Sequence, residues 1–473
     1  MSTFSGLNGA LSALYAQRRG MDVTGQNIAN ANTDGYSRQR VDLQGVGGSP
    51  VPAMYATADA STGGVTVSSV TRVQDAFLEA RGRYEHAQNS YLGDQNRVFT
   101  EVQQAFNEPS DKGVQSQLTD LWSSWHDLAN NPGDAAVRTQ VLARATTLAD
   151  TLHSTHNALG SLFTTTREQL DAYATDINTT ASAVARLNQA VVQATNAGLP
   201  SNDLADQRDK LVMHLSEAAG ATAMAQDDGS VSVFLSGSSL VHGNTARQVG
   251  VTGVGRLEDV GTVPAGTPAV SLNWTDGAGA VGMQSGQLAS VLQTLNTILP
   301  HYATQLDGVA ANLASAVNTQ HAAGFEKYGA PGVPNFFAAS GGGPVTAANI
   351  IVAITDPQVI AAASTAPAVG AGTLDGDNAD AIAQIGKSTT GPDQQYRQLI
   401  ADLGVAGQTA DRQAGIQSAL TDGVDSAREA QSGVNVDEEM TNLISYQRAY
   451  QAAARVLNTI DATLDTLINH TGS

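Results

Sequence analysis

Towards one end of the chain, apolar residues recur in alternating steps of three and four: Leu443, Tyr446, Tyr450, Ala453, Leu457, Ile460, Leu464 and Leu467. That spacing is the period of a supercoiling helix, whose apolar seam has to be covered by another helix. Asn435 stands where an N-cap would, with Glu438 three residues on, and Asp437, Glu438 and Glu439 put negative charge where the helix dipole favours it. Arg448 and Arg455, seven apart, fall on the opposite face and are expected to meet solvent or another subunit. The other end repeats the spacing with Phe4, Leu7, Leu11, Leu14, Met21 and Ile28, while Arg18 and Gly25 fill the missing heptad places. The two ends therefore read as partners. Gly6, Gly9, Gly20 and Gly25 each cost about 1 kcal/mol against alanine inside a helix, so the N-terminal helix depends on packing for its order.

A chain of 473 residues is long enough for two to four domains with ample buried core. Its formal charge of −20, with no basic cluster beyond Arg18 and Arg19, argues against nucleic acid or an anionic membrane as partner, since both demand a basic patch. The absence of cysteine excludes disulfides and thiolate metal sites. The first residues lack a basic start and a small-residue cleavage site, so no secretory signal peptide is expected. No run of apolar residues reaches the length of a membrane span.

After Ile28 the sequence NIANANTDGYSRQR breaks the helix with turn residues, Asn30, Asn32, Thr33, Asp34 and Gly35, before Tyr36. An extended connector follows, in which Val65 and Val67 alternate with polar neighbours as in a short strand. Residues 72–106 carry Phe77, Tyr84, Tyr91, Val98 and Ala105 at sevenfold spacing and predict a long helix. EPSDKG stops it, and a shorter helix with Trp122 and Trp125 comes next. Another long helix spans residues 135–197, with Leu170, Ile177, Val184 and Val191 in heptad register, and SNDLADQRDKLVMHLSEAAG predicts one more, closed by Gly220. Phe77, Tyr84, Leu170 and Ile177 are read as intramolecular core. From residue 222 to 283 the period becomes two, as in Val231, Val233 and Leu235, and DDG, SGSS, HGN and TDGAG punctuate it as turns. Helix returns over residues 285–317, interrupted near Pro300, then an irregular Gly/Pro/Ala-rich stretch, then helix again from residue 379.

Three stretches invite a chemical reading and have better structural ones. AIAQIGKS (residues 381–388) approaches a phosphate-binding loop, but Ala381 replaces its first glycine and no strand leads into it; Gly386 reads as a helix C-cap. His153 and His156 are three apart without a third ligand at motif spacing and read as a solvated helix face. DGDNAD, beginning at Asp375, starts like a calcium loop, yet Ala379 takes a ligand place, leaving a turn and N-cap.

The helix running into N-I-A-N-x-x-T-x-G-Y-x-R, with Asn27, Asn30, Thr33, Gly35, Tyr36 and Arg38, resembles the N-terminal signature of the flagellar axial proteins: rod, hook and hook-associated proteins. SGVNVDEEMTNLISYQRAYQAAARVL, with Asn435, Tyr446, Gln447 and Tyr450, resembles their C-terminal one. EPSDKG with its tryptophan helix, NDLADQRDKL and AVNTQHAAG resemble one branch in particular, that of hook-associated protein 1. The resemblance implies a structural role at the junction of hook and filament in the bacterial flagellum, with no catalytic residue, metal or cofactor. It implies export through the flagellar channel to the cell exterior without a cleaved signal, and assembly as a homo-oligomeric ring. The expected neighbours are hook protein and hook-associated protein 3, and an export chaperone is expected to mask the C-terminal helix. The expected assembly surface is the two terminal stripes.

The fold expected is mainly α with β inserts. Residues 1–35 and 433–473 form terminal coiled-coil helices; residues 36–220, 284–322 and 377–432 form a helical bundle with its connector; residues 221–283 form a β-rich insert and 323–376 a second, irregular one. Two other readings stand beside this one. A hook or rod protein would share both terminal signatures but continue mostly in β structure. A hydrolase hidden in the inserts would need paired acids, for which Asp227, Asp228, Glu258, Asp259 and Asp276 are the candidates.

Overall fold

The computed structural model describes residues 3–46, 63–368 and 374–470. Helix α1 (Thr3–Ala29) turns into strand β1 (Gln39–Gly45), which pairs antiparallel with β2 (Val65–Arg72). Four helices follow: α2 (Ala76–Phe106), α3 (Val114–Asn130), α4 (Ala135–Asn196) and α5 (Asn202–Ala219). Strands β3 (Thr222–Ala225), β4 (Val231–Leu235), β5 (Ser238–His242) and β6 (Thr245–Ala246) form an antiparallel sheet in chain order, and β7 (Val249–Gly253) pairs with β8 (Val270–Trp274). Then come α6 (Gln287–Gln293), α7 (Leu299–Ala322), the short pair β9 (Phe337–Ala339) and β10 (Ile350–Val352), and finally α8 (Asp377–Ala383), α9 (Pro392–Ser432) and α10 (Val436–His470). Helix occupies 64% and strand 12%, which makes the chain mainly α and not the β-dominated chain expected of a hook or rod protein.

The breaks between elements have local causes. Gly229, Gly237 and Gly243 sit at positive φ in the turns joining β3 to β6, a conformation that only glycine adopts without strain. Gly220 closes α5 in the left-handed region, its N–H returning to Ser216 O at 2.8 Å. Pro300 has no N–H to give the preceding turn, and residues Thr294–Ile298 widen into a π turn between α6 and α7.

The chain divides into two compact units, and it passes from one to the other within α2, within α4, between β6 and β7, and within α9. The first comprises Met1–His86, Asn178–Arg247 and Ala419–Ser473. Residues 221–283, expected as one insert, therefore hold two sheets: β3–β6 lies in this unit and β7–β8 in the other. The sheet docks through Asn188 of α4, whose Oδ1 accepts from Val231 N at 2.9 Å while its Nδ2 donates to Val231 O and Gly243 O at 2.8 and 2.9 Å. A fully buried side-chain amide thus acts as the next strand's backbone would.

The second unit comprises Ala87–Ile177 and Gln248–Ser418. Trp125 packs its ring 5.3 Å from Phe336, and Phe106, Phe163, Phe337, Tyr396 and the leucines of α3 and α4 complete a close-packed interior. Trp122 donates its indole N–H to Asp393 at 2.6 Å. The helix–strand amide device recurs twice here, Asn296 pairing with Val270 of β8 and Asn318 with Phe336 and Phe337.

Leu170 and Ile177 are fully buried, as read from their spacing, but Phe77 and Tyr84 are 71% and 61% exposed. Seven residues of a straight helix fall about 20° short of two turns, so a strict sevenfold row rotates around the helix. The row that starts outside at Phe77 is inside by Val98.

Candidate assembly site

Helix α10 packs along α1, so the two ends of the chain lie together. They run antiparallel: a methyl added to Gly6 would meet Ile460 Cδ1 at 3.4 Å, and one added to Gly20 would lie 2.7 Å from the Tyr446 ring. At Gly9 the connector's Gly63 carbonyl comes within 3.1 Å of where a Cβ would be. Three of the four glycines are therefore places of close approach, and Gly25 alone among them meets nothing within 4 Å. The deepest face of α1 is a row of mostly small residues, Ala16, Gly20, Val23, Thr24 and Asn27. The larger stripe is only half covered. Leu7, Leu14, Met21 and Ile28 on α1, and Leu443, Tyr446, Ala453, Leu457, Ile460 and Leu464 on α10, have intermediate exposure, while Leu11 and Tyr450 are exposed. The side chains of Phe4 and Leu467 lie outside the described residues. Val436, Met440, Ile444 and Val456 of α10 and Tyr15 of α1 add further exposed apolar surface. Arg448 and Arg455 are exposed, as their place on the helix requires.

Where α10 begins, the two signatures meet in a buried polar knot. Asn27, 1% exposed, accepts on Oδ1 from the Tyr36 hydroxyl at 2.8 Å and from Gln39 N at 2.9 Å. Its Nδ2 donates to Gln39 O at 2.8 Å and to Glu439 Oε2 at 3.0 Å. Glu439, 2% exposed, takes Arg38 Nε on its other oxygen at 2.8 Å, and Arg38 Nη1 reaches Glu438 at 3.2 Å. The backbone of Arg38 closes the same joint, its N–H on Ser432 O at 3.0 Å. Asn435 caps α10, accepting from Asp437 N at 3.0 Å and Glu438 N at 3.3 Å. Glu438 does not complete a capping box, because its carboxylate is turned to Arg38.

Helix α5 supplies the third side of the knot. Asp206 accepts from Ser37 N at 3.2 Å and from Arg72 Nη1 at 2.9 Å, and Asp209 takes the same Arg72 nitrogen at 2.7 Å. Asp203 accepts from Gln39 Nε2 at 3.1 Å, and Asn202 holds Gln39 Oε1 and Val70 O at 3.1 and 3.0 Å. Burial, followed by the charges of Asp203, Asp206 and Glu439, pushes the Tyr36 hydroxyl well above the ordinary phenol range, so it stays a donor. Asn30 and Thr33 serve the turn that delivers Tyr36: Thr33 Oγ1 donates to Asn30 Oδ1 at 3.2 Å, and Thr33 O accepts from Tyr36 N at 3.1 Å. Gly35 has φ +81, and its Cα faces the Lys210 stem. Gln447 is exposed. Asn202, Asp203 and Asp206, with Ser37, Gln39 and Arg72, were not singled out from the sequence; the visible signal was Asp203, Asp206 and Asp209 at steps of three, one face of a helix.

The stretches with a chemical look have structural tasks. A Cβ on Gly386 would fall 2.5 Å from the Trp122 ring, so that glycine admits an indole and caps no helix: residues Gln384–Lys387 are a 3₁₀ turn. Asp375 accepts from Ser364 and Thr365, backbone and hydroxyl alike, and from Asp377 N at 2.9 Å. Those bonds outweigh desolvation and hold its carboxyl at about 2. His156 is buried rather than solvated. Asp227, Asp228, Glu258, Asp259 and Asp276 are exposed, Asp228 and Asp276 serving their own turns by accepting from Ser230 N and Ala278 N. Among the described residues no helix is long and apolar enough to cross a membrane, and no group of acidic and histidine side chains is placed to hold a metal.

Three family models match the chain: the flagellar hook-associated protein FlgK helical domain over residues 99–337, the flagellar basal body rod FlgEFG protein C-terminal over 427–470, and the flagella basal body rod protein over 7–36. The last two hold Asn27, Tyr36, Asn435 and Glu439 of the knot, and the first holds its α5 side. Flagellar hook-associated protein 1 of Bacillus subtilis is 30% identical over 100% of this chain and 99% of its own length. The chain belongs to the flagellar hook-associated protein 1 family. The Escherichia coli protein of that name is 26% identical over 98% of the chain and 99% of its own. Among solved structures, the flagellar hook junction protein FlgK of Burkholderia pseudomallei shares the fold, with a TM-score of 0.64 at 17% identity, over 75% of this chain and 100% of that one. The chain is a structural protein of the bacterial flagellum, and nothing supports a hydrolase in its inserts.

Proposed function

We propose that the chain forms the junction between hook and filament, assembling as a homo-oligomeric ring through its paired terminal helices. The observation that carries this reading is the half-covered apolar stripe on α1 and α10, held in fixed register by a knot built from both terminal signatures. A seam of leucines, isoleucine and tyrosine that one partner helix leaves half open has area left for neighbouring copies. Hook protein on one side and hook-associated protein 3 on the other are the neighbours such a ring joins. The chain is exported to the cell exterior, and a chaperone covers the stripe of α10 until assembly. A strain lacking the gene should carry hooks without filaments and shed filament subunits into the medium, and the restored gene should rebuild filaments. Normal filaments in the deletion strain would overturn the reading. Chaperone binding is checked by a chain ending at Gly433, which should lose it; full affinity of that chain in a pull-down would place the chaperone elsewhere.

A further inference from the structure

His86 of α2 stands between two carboxylates of the first unit. Its Nδ1 lies 2.9 Å from Glu217 Oε1 of α5, and its Nε2 lies 2.9 and 3.0 Å from the two oxygens of Asp425 of α9. A carboxylate only accepts, so both ring nitrogens must donate, and only the imidazolium carries two N–H groups. The chain of charge continues beyond it. Arg428 Nη1 donates to Asp425 at 3.0 Å, and its Nε and Nη2 grip Glu79 of α2 at 3.1 and 2.9 Å. The sequence Glu217, His86, Asp425, Arg428, Glu79 thus alternates in sign across three helices while His86 is charged. The charged groups facing the ring are Glu217 from α5 and Asp425 with its Arg428 from α9; on α2 itself, Glu79 binds Arg428, and Arg83 lies within the field of Glu79, Asp209 and Arg428.

We propose that His86 is a pH-responsive brace that ties α2, α5 and α9 of the first unit together while protonated and releases one of them in alkaline medium. A neutral imidazole has one N–H and one lone pair, so deprotonation sets a lone pair against a carboxylate and breaks one of the two links. Hydrogen bonding to Glu217, opposed by burial and reinforced by Asp425, raises the pKa of His86 above that of a free imidazole. For a folded-state pKa that is raised, the stabilisation is fully present below the ordinary value near 6.5 and is lost as pH climbs through the folded value. Because α5 also carries Asp203 and Asp206, the brace acts on the helix that supports the terminal knot.

The test uses the full chain with ring-labelled histidine, the His86 resonance being assigned from its loss in His86→Gln. His86 should titrate above the ordinary imidazole value, and Glu217→Gln should move the midpoint down. Hydrogen exchange in the last turn of α5, corrected for intrinsic pH dependence, should lose protection severalfold across the same range in the wild type and show no such step in His86→Gln. A midpoint at or below the ordinary value, or an exchange step that survives in His86→Gln, overturns the proposal. If His86→Gln does not fold, the His86 resonance is assigned as the one moved by both Glu217→Gln and Asp425→Asn, and the midpoints of the wild type and of Glu217→Gln still decide.

Discussion

Replacing Glu439 by alanine removes the carboxylate that takes two donors of the N-terminal signature. Two bonds are lost, one from the Arg38 guanidinium at 2.8 Å and one from the Asn27 amide at 3.0 Å. A hydrogen bond to a charged group contributes about 1.5–3 kcal/mol, and removing one member of a buried pair costs about 3–5 kcal/mol because its partner stays buried. The two donors differ here. Arg38, with 22% of its side chain exposed, recovers water and keeps Glu438 at 3.2 Å, whereas Asn27, 1% exposed, recovers little. The loss should therefore fall near the lower end, about 3 kcal/mol.

The chain has two units, so a single melting temperature would mix their responses. Hydrogen exchange along α1 and the first turns of α10 reads the joint itself, and about 3 kcal/mol corresponds to exchange faster by on the order of a hundredfold. Glu439→Gln sharpens the test. Both neighbours of the carboxylate are donors, so the amide must point its own NH2 at one of them, and a cost of about 1–3 kcal/mol is expected although shape is conserved. If Glu439→Gln exchanges like the wild type, or Glu439→Ala changes exchange less than about fivefold, the joint is held by apolar packing and the knot is incidental.

The glycines of α1 should separate by environment: Gly25→Ala meets nothing and should stabilise the helix by about 1 kcal/mol, whereas Gly20→Ala must push the Tyr446 ring aside and should cost about 1–3 kcal/mol, both measured as exchange protection in α1. His321 should make the second unit acid-sensitive. It is fully buried, its Nδ1 2.9 Å from Val333 O while Nε2 accepts from Ala361 N at 2.9 Å, and burial lowers its pKa. A depressed imidazole gives stability that is present above the unfolded value near 6.5 and lost as pH falls, by up to about 1.4 kcal/mol per pH unit, so urea midpoints of the wild type should drop from pH 7 to pH 5 more than those of His321→Gln. On α10, Leu457→Asp sets a charge in the half-covered stripe and should abolish filaments while the chain is still secreted; Arg455→Asp, on the exposed face, should retain motility, and a motile Leu457→Asp strain would remove the stripe from the assembly surface.

Sequence periodicity located α1, α4, α5 and α10 to within a few residues because each is long and strongly patterned. It misjudged which face of α1 lies deepest, since counting large apolar residues gives no weight to Ala16 or Gly20, whose use is to let α10 approach. It put Phe77 and Tyr84 inside because a sevenfold row was taken as one face of a straight helix. Within the candidate site, Asn27, Tyr36, Arg38 and Asn435 were visible as signature residues, but their bonds were not. Asn27 and Glu439 are separated by 412 positions, and no local rule pairs two polar residues across such a distance. Asp203 and Asp206 were hidden for the same reason, each looking like the solvated face of an ordinary helix.

A buried carboxylate is not the strongest way to hold two helices together, because desolvation consumes most of what its bonds return and an apolar cluster of the same volume holds as well. What it adds is register. A heptad seam can slide by one repeat and still bury similar residues, as the recurrence of apolar places along α10 allows. The knot cannot slide, since Glu439 finds two donors only when Asn27 and Arg38 stand beside it, and Arg72 finds two carboxylates only beside Asp206 and Asp209. The stripe therefore supplies area, and the knot decides which part of it each copy presents. In the ring proposed above, an error in register would recur at every contact between copies, which would give a physical reason for the two signatures to meet in polar chemistry and not in more leucine.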